Sequence, residues 1–216
     1  MKRITIVFFT LILCKQIYSQ DSKMSFGIEL TPSITWLSGI QGSADKRFSY
    51  SAGIISEYLI NSQVAIKSGL SFERKGSKAA LLFTDTNGIP LGTVDVNYNY
   101  DYLILPVLGT FSTKGNVKVF FNAGTYFGYL LSQKNMYGAY NSTPEKTVDN
   151  SDKTKRIDFG LTFGTGVSIP FGTNIIFDIG LKPNLGLINA RKDDNNNSSS
   201  VKINSFGLSI GFKYNI

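Results

Sequence analysis

Nine charged residues carry most of the chemistry this sequence could do: Glu29, Glu57, Lys67, Glu73, Lys118, Asp158, Asp178, Lys182 and Lys213. Each falls on the polar side of a segment whose other side is apolar. Five are acids and four are bases. Enclosed together, they would pair and hydrogen-bond, because an isolated buried charge is costly and a paired one is tolerable. A structural ion-pair network is the favoured reading. A proton or ion path is the sharper alternative. Catalysis is poorly served by the same inventory. His is 0, which removes Ser-His-Asp and Cys-His chemistry and every His-ligated metal site. There is no P-loop, no GxGxxG before a helix, no CxxC and no HExxH. The residues call for no catalytic group, no cofactor and no metal. Asp85-Thr86-Asn87-Gly88 lacks a full calcium ligand set and reads better as a hairpin turn.

The elements that hold those charges have a period of two. From Arg156, the apolar Ile157, Phe159, Leu161, Phe163, Val167 and Ile169 alternate with Asp158, Gly160, Thr162, Gly164, Gly166 and Ser168. This is a long amphipathic strand, since a helix would space its apolar residues differently. Phe26–Trp36, Val64–Glu73, Val117–Leu131, Ile175–Leu187 and Phe206–Ile216 follow the same rule. Phe48–Ile60 and Val96–Phe111 follow it less cleanly, with Leu103-Ile104-Leu105 blurring the register. The pattern predicts eight strands. Their connections alternate in length. Asn61-Ser62, Lys114-Gly115-Asn116 and Phe171-Gly172-Thr173 are tight turns, whereas Ser38–Arg47, Lys75–Asp95, Lys134–Lys153 and Asn189–Ser200 read as long polar loops. Short turns at one end, long loops at the other and an even strand count are the pattern of an outer-membrane barrel. The predicted fold is all-β, an eight-stranded antiparallel up-and-down transmembrane barrel.

The glycines decide which face points in. Gly27, Gly53, Gly69, Gly124, Gly128, Gly160, Gly164, Gly166, Gly180, Gly186, Gly207 and Gly211 all lie on the polar face. A face turned to bulk water has room for long side chains, and glycine weakens a strand. The interior of a narrow barrel has little room, so glycine there is a packing solution. The polar face therefore points inward, and the Phe/Ile/Leu face meets outer-membrane lipid. Trp36, Tyr50, Tyr58, Tyr129, Phe171 and Tyr214 lie near predicted strand ends, as aromatic girdles would, although strand propensity alone also favours aromatics.

The start of the chain reads as an address. Met1-Lys2-Arg3 precedes an apolar run, Ile4–Cys14, and a small residue at Ser19. That run is too short to span a bilayer as a helix, which needs about 20 residues. Residues 1–19 read as a cleaved signal peptide and 20–216 as one barrel domain. Cleavage removes Cys14, the only cysteine, and takes the net charge from +7 to +4 by loss of Lys2, Arg3 and Lys15. The remaining positives are scattered, so nucleic acid is not an expected partner.

Three stretches resemble a known family. Ala65–Gly76 resembles the "tGLxYxxKG" hairpin of PorT-like outer-membrane β-barrel proteins. Tyr102-Leu103-Ile104-Leu105-Pro106-Val107-Leu108 resembles that family's "YLxIPxLL" strand, with Ile104 where the family usually has an acid. Arg156–Gly166 resembles its "DFGxxxGxG" strand. The resemblance spans 20–216 and departs from the family again at its end, Ile216 in place of the usual Phe. It implies an integral outer-membrane protein of a Gram-negative cell. The family's namesake is tied to export of secreted proteases, but the shared motifs are those of the barrel itself and do not carry that role.

Function on such a scaffold sits in the loops. Leu81, Leu82 and Phe83 in the second loop, and Met136, Tyr137 and Tyr140 in the third, are candidate protein contacts, by strand addition or as an aromatic patch. The expected protein is a non-enzymatic, monomeric barrel with a structural or interaction role. Its N- and C-termini are expected on the periplasmic side. The alternatives are a small transport barrel for apolar or ionic solutes and a secreted soluble ligand-binding barrel.

Overall fold

The computed structural model describes residues 23–39, 45–84, 87, 89–139, 144–192 and 200–216. The expected signal peptide therefore lies outside the described residues. Among the described residues, nine strands form one antiparallel sheet. They are β1 (Met24–Ser38), β2 (Arg47–Leu59), β3 (Val64–Thr84), β4 (Pro90–Ser112), β5 (Lys118–Tyr137), β6 (Lys146–Asp149), β7 (Ile157–Phe171), β8 (Ile175–Gly186) and β9 (Lys202–Asn215). Eight of them close a ring, with β1 paired to both β2 and β9 and β5 paired to β7. The four-residue β6 lies outside the ring and pairs with the outer part of β5.

The faces are sorted as the glycine argument expects. Ile28 and Leu30 on β1, Phe121 and Phe127 on β5, and Phe206 and Phe212 on β9 point outward and are exposed. Thr35, Thr162 and Ser205 point inward and are buried. An apolar belt of this kind aggregates in water and is what a lipid surround requires. Ring closure leaves no open edge in the belt. On β4 the belt runs from Leu103 to Phe111, and on β7 from Ile157 to Phe171, with outward side chains at alternate positions. Of the aromatics read as girdle residues, Tyr50, Tyr58, Tyr129, Phe171 and Tyr214 are exposed on the outer face.

Two stretches read as loops are largely strand. β3 continues through Lys75 to Thr84 and β4 begins at Pro90, so Lys75–Asp95 is mostly a paired hairpin. Polar composition hid this, because a strand that leaves the membrane needs no apolar face. β5 likewise runs to Tyr137, and Lys146–Asp149 folds back on it. β3, β4 and β5, of 21, 23 and 20 residues, thus overshoot the other ring strands, of 12 to 15. They stand above the loop end of the ring as a small sheet. Entering that sheet, β5 gains one residue on β4: Tyr102 pairs with Leu130 but Asp101 with Ser132. This bulge at Leu131 reverses which parity of β5 faces inward.

Gly76 marks where β3 leaves the ring. Its φ is 157°, and a Cβ there would lie 1.8 Å from the Tyr98 carbonyl oxygen, so only glycine fits. Thr35 on β1 serves both of its backbone groups. The Gly76 N–H donates to Thr35 Oγ1 at 3.0 Å, and that hydroxyl donates to the Gly76 carbonyl at 2.8 Å.

Candidate functional site: the lumen and the protruding sheet

The lumen is filled by charged layers, each assembled from strands distant in the ring. Nearest the short turns, Lys213 of β9 lies 3.0 Å from Glu57 of β2 and 2.8 Å from Asp178 of β8. Ser168 of β7 donates to Asp178 at 2.6 Å. In the middle layer, Glu29 of β1 accepts from Lys67 of β3 at 2.6 Å and from Lys182 of β8 at 2.7 Å. Above it, Lys75 of β3 lies 3.3 Å from Asp158 of β7 and 3.7 Å from Glu73.

The upper layer is the most enclosed. The Lys75 side chain is fully buried, and its ammonium sits 4.3 Å from the Tyr126 ring centroid and 5.6 Å from that of Tyr102. The Tyr126 hydroxyl donates to Asp158 at 3.1 Å. Ser205 donates to Glu73 at 3.1 Å. Tyr126 fits because Gly160 lies opposite, where a Cβ would fall 2.5 Å from its ring. Tyr102 and Tyr126 also belong to an apolar cap, completed by Leu37, Ile104, Leu130, Ala190, Val201 and Ile203.

The inward positions chosen by parity are Glu29, Glu57, Lys67, Glu73, Lys118, Asp158, Asp178, Lys182 and Lys213. Eight of these nine meet in the layers. Lys118 stands half-buried at the first position of β5 and makes no ion pair among the described residues. Lys75 takes part instead. Composition places it in a loop, but two-residue alternation carried past Glu73 puts it inside.

At the loop end, polar groups bind the rim of the protruding sheet. Arg74 meets Asp101 in a two-pronged pair, Nε to Oδ1 at 2.6 Å and Nη2 to Oδ2 at 2.8 Å. Arg47 donates to Asn99. Lys78 pairs with Asp95 at 2.7 Å. Above the belt, burial pushes the Tyr100 hydroxyl up to about 12, with Arg191 pulling the other way. Hydrogen bonds from Ser151 hold the Asp149 carboxyl below its ordinary range.

Of the contact candidates, Leu82 is 60% and Met136 43% exposed, and the register puts both on the outer face of the sheet. Leu81, 37% exposed, faces the other way, opposite Val94. Tyr137 is half-buried. The Phe83 side chain and Tyr140 lie outside the described residues, as does most of Asp85–Gly88.

The family described as "Outer membrane protein beta-barrel domain" matches residues 18–192. The chain belongs to it. No curated protein matches the sequence. Among solved structures, neisserial surface protein A (NspA) is similar at 16% identity, covering 92% of this chain and 100% of its own, with a TM-score of 0.50. A major outer membrane protein from Thermus thermophilus is similar at 16% identity, covering 89% and 99%, also at 0.50. At such identities the likeness is one of fold. Family and fold together make this an integral outer-membrane barrel, and the apolar belt is its lipid face.

Proposed function

We propose that this family member is a PorT-like barrel that acts without catalysis, holding a protein-binding sheet above the outer membrane of a Gram-negative cell. In this reading residues 1–19 are removed on export, both termini lie in the periplasm, the short turns face the periplasm and the overshooting strands face outward. The charged layers serve structure. The observation that carries the proposal is the overshoot of β3, β4 and β5, which displays Leu82 and Met136 clear of the lipid belt. Apolar side chains held on rigid strands cost little ordering entropy when a partner covers them.

The test uses the cysteine-free mature chain. A cysteine at Leu82 should react with a membrane-impermeant maleimide on intact cells. A cysteine in the Asn61-Ser62 turn should react only after the outer membrane is opened. A photo-crosslinker at Leu82 should then capture one discrete protein that a crosslinker at Leu30 does not. Labelling with the opposite sidedness removes the orientation, and identical capture from both positions removes the binding role.

A further inference from the structure

The sheet that stands above the ring has two edges, and they are finished differently. One is β6, four residues long, with Lys146 at one end and Asp149 at the other. Short length and charge keep an edge from pairing with another chain. The other edge is the upper part of β3. There β2 stops pairing at Tyr50 and Arg74, and a single bridge joins Asp45 to Lys78. Beyond it Ala79-Ala80-Leu81-Leu82-Phe83 continues without charge, proline or glycine.

Register fixes where the backbone groups of this edge point. The Gly76 N–H and carbonyl are turned to Thr35. Those of Lys78 are turned to Asp45: the Lys78 N–H donates to the Asp45 carbonyl at 3.2 Å and the Asp45 N–H to the Lys78 carbonyl at 2.7 Å. Every second residue of an antiparallel strand turns both groups to the same edge. Ala80 and Leu82 therefore turn theirs to this side, whereas Ala79 and Leu81 turn theirs to β4. Among the described residues no strand meets Ala80 or Leu82 here. Both are exposed. Two donors and two acceptors thus stand in a row, with Ala80 and Leu82 flanking them on the outer face and Ala79 and Leu81 on the inner.

Few things fit beside this row. The chain itself is short of length. The register that opposes Asp45 to Lys78 would spend residues 44 to 41 on the run up to Leu82 and leave residue 40 alone to return to Gly39. A second copy is obstructed by its own ring. The place beside Ala80 lies in line with β2 of the same barrel, so another β3 could enter it only by bringing its barrel into the first. From this we infer that the upper edge of β3 is a strand-addition site for an extended, uncharged, apolar segment of another protein, a loop or terminus with no folded mass on its membrane side. The N–H and C=O groups of Ala80 and Leu82 hold its backbone, and Leu82 and Leu81 select apolar side chains on its two faces. This rests on the reading of the sheet as a protein-binding surface and names the mode of binding.

The experiment uses the refolded barrel in nanodiscs and a fluorescent peptide with a Val-Ile-Val-Ile-Val centre and lysines at both ends. In the free barrel, amide exchange along β3 should alternate, fast at Ala80 and Leu82 and slow at Ala79 and Leu81. The peptide should bind and slow Ala80 and Leu82 by about tenfold or more, and the same peptide interrupted by prolines should not. Ala80→Pro and Leu82→Pro each delete one of the edge donors. A proline whose N–H would face an open edge leaves the β3–β4 ladder intact, so heat-shifted migration should be unchanged while peptide affinity falls by about tenfold. Slow exchange at all four residues of the free barrel overturns the inference, because the edge is then covered by this chain. Binding that survives both prolines, or equal binding of the interrupted peptide, overturns it as well. Dimers of the barrel that Ala80→Pro disperses would assign the edge to a second copy and overturn the foreign segment. Crosslinking from Leu82 on intact cells that Ala80→Pro leaves unchanged overturns strand addition while the sheet keeps its binding role.

Discussion

Lys75 and Asp158 meet across the lumen, Nζ 3.3 Å from Oδ2, although β3 and β7 are not neighbours in the ring. The contact ties two walls of the barrel together at the level where the lumen is driest. Its removal should be felt as lost stability. Lys75→Met leaves Glu73 and Asp158 as buried carboxylates without their cation, a loss of about 3–5 kcal/mol when one partner of a buried pair is taken away. Urea titration followed by heat-shifted migration should show it. Adding Glu73→Gln and Asp158→Asn should restore part of the loss. A Lys75→Met barrel as stable as Lys118→Met, whose lysine makes no ion pair among the described residues, would refute the assignment.

The orientation of the two faces predicts a depth-dependent cost on the outside. Leu30 sits midway along the belt of β1 and is 53% exposed. Leu30→Lys places an ammonium in hydrocarbon and should cost about 2–4 kcal/mol. Leu82→Lys changes a leucine at least as exposed, above the belt, and should change barrel stability little. Equal costs for the two in lipid vesicles would argue against the placement of the belt.

Gly76 predicts a local effect. Gly76→Val drives a Cβ into the Tyr98 carbonyl and requires a backbone conformation that valine avoids. The hairpin above it should loosen while the ring stays closed. Limited proteolysis should then cut within 75–95, and unheated migration on a gel should remain that of a folded barrel. A protease-resistant hairpin in the Gly76→Val protein would mean that Gly76 does not set its direction.

The ring was legible because lipid outside and crowding inside impose opposite demands on alternate residues. Phe206, Leu208 and Phe212 against Gly207, Ser209 and Gly211 leave only one assignment of faces. The same rule found eight lumen charges, since charge on the inner parity of a strand has nowhere else to go. It lost Lys75 because the outer parity turns polar past Phe72, where Arg74, Gly76 and Lys78 replace apolar residues and erase the alternation. Those residues lie above the belt, where no solvent demands an apolar face. The bulge at Leu131 was also invisible, because one extra residue changes the parity without changing the composition. Lys118 was placed inside by parity, but it opens its strand, where water is at hand and no partner is required. The pairing of strands remote in the chain, such as Glu29 with both Lys67 and Lys182, depends on ring closure and shear, which alternation does not encode.

The lumen also predicts an electrical silence with a defined cause. Voids of about 10 Å³ and 20 Å³ lie among the charged layers, each large enough for about one water. Above them the apolar cap of Leu37, Tyr102, Ile104, Tyr126, Leu130, Ala190, Val201 and Ile203 offers an ion no hydrogen-bonding path apart from two tyrosine hydroxyls. One of these is already committed to Asp158. An ion crossing the barrel would shed its water at the cap, so the purified protein should give no conductance steps in planar bilayers at ordinary voltages. Opening the cap should change this. Leu130→Gly combined with Ile203→Gly removes two of its most buried side chains and keeps every ion pair. Lys75→Met, which leaves most of the cap in place, should leak less than the double glycine protein. Conductance in the unaltered barrel, or a leak that appears on losing Lys75 but not on opening the cap, would place the barrier in the ion pairs instead.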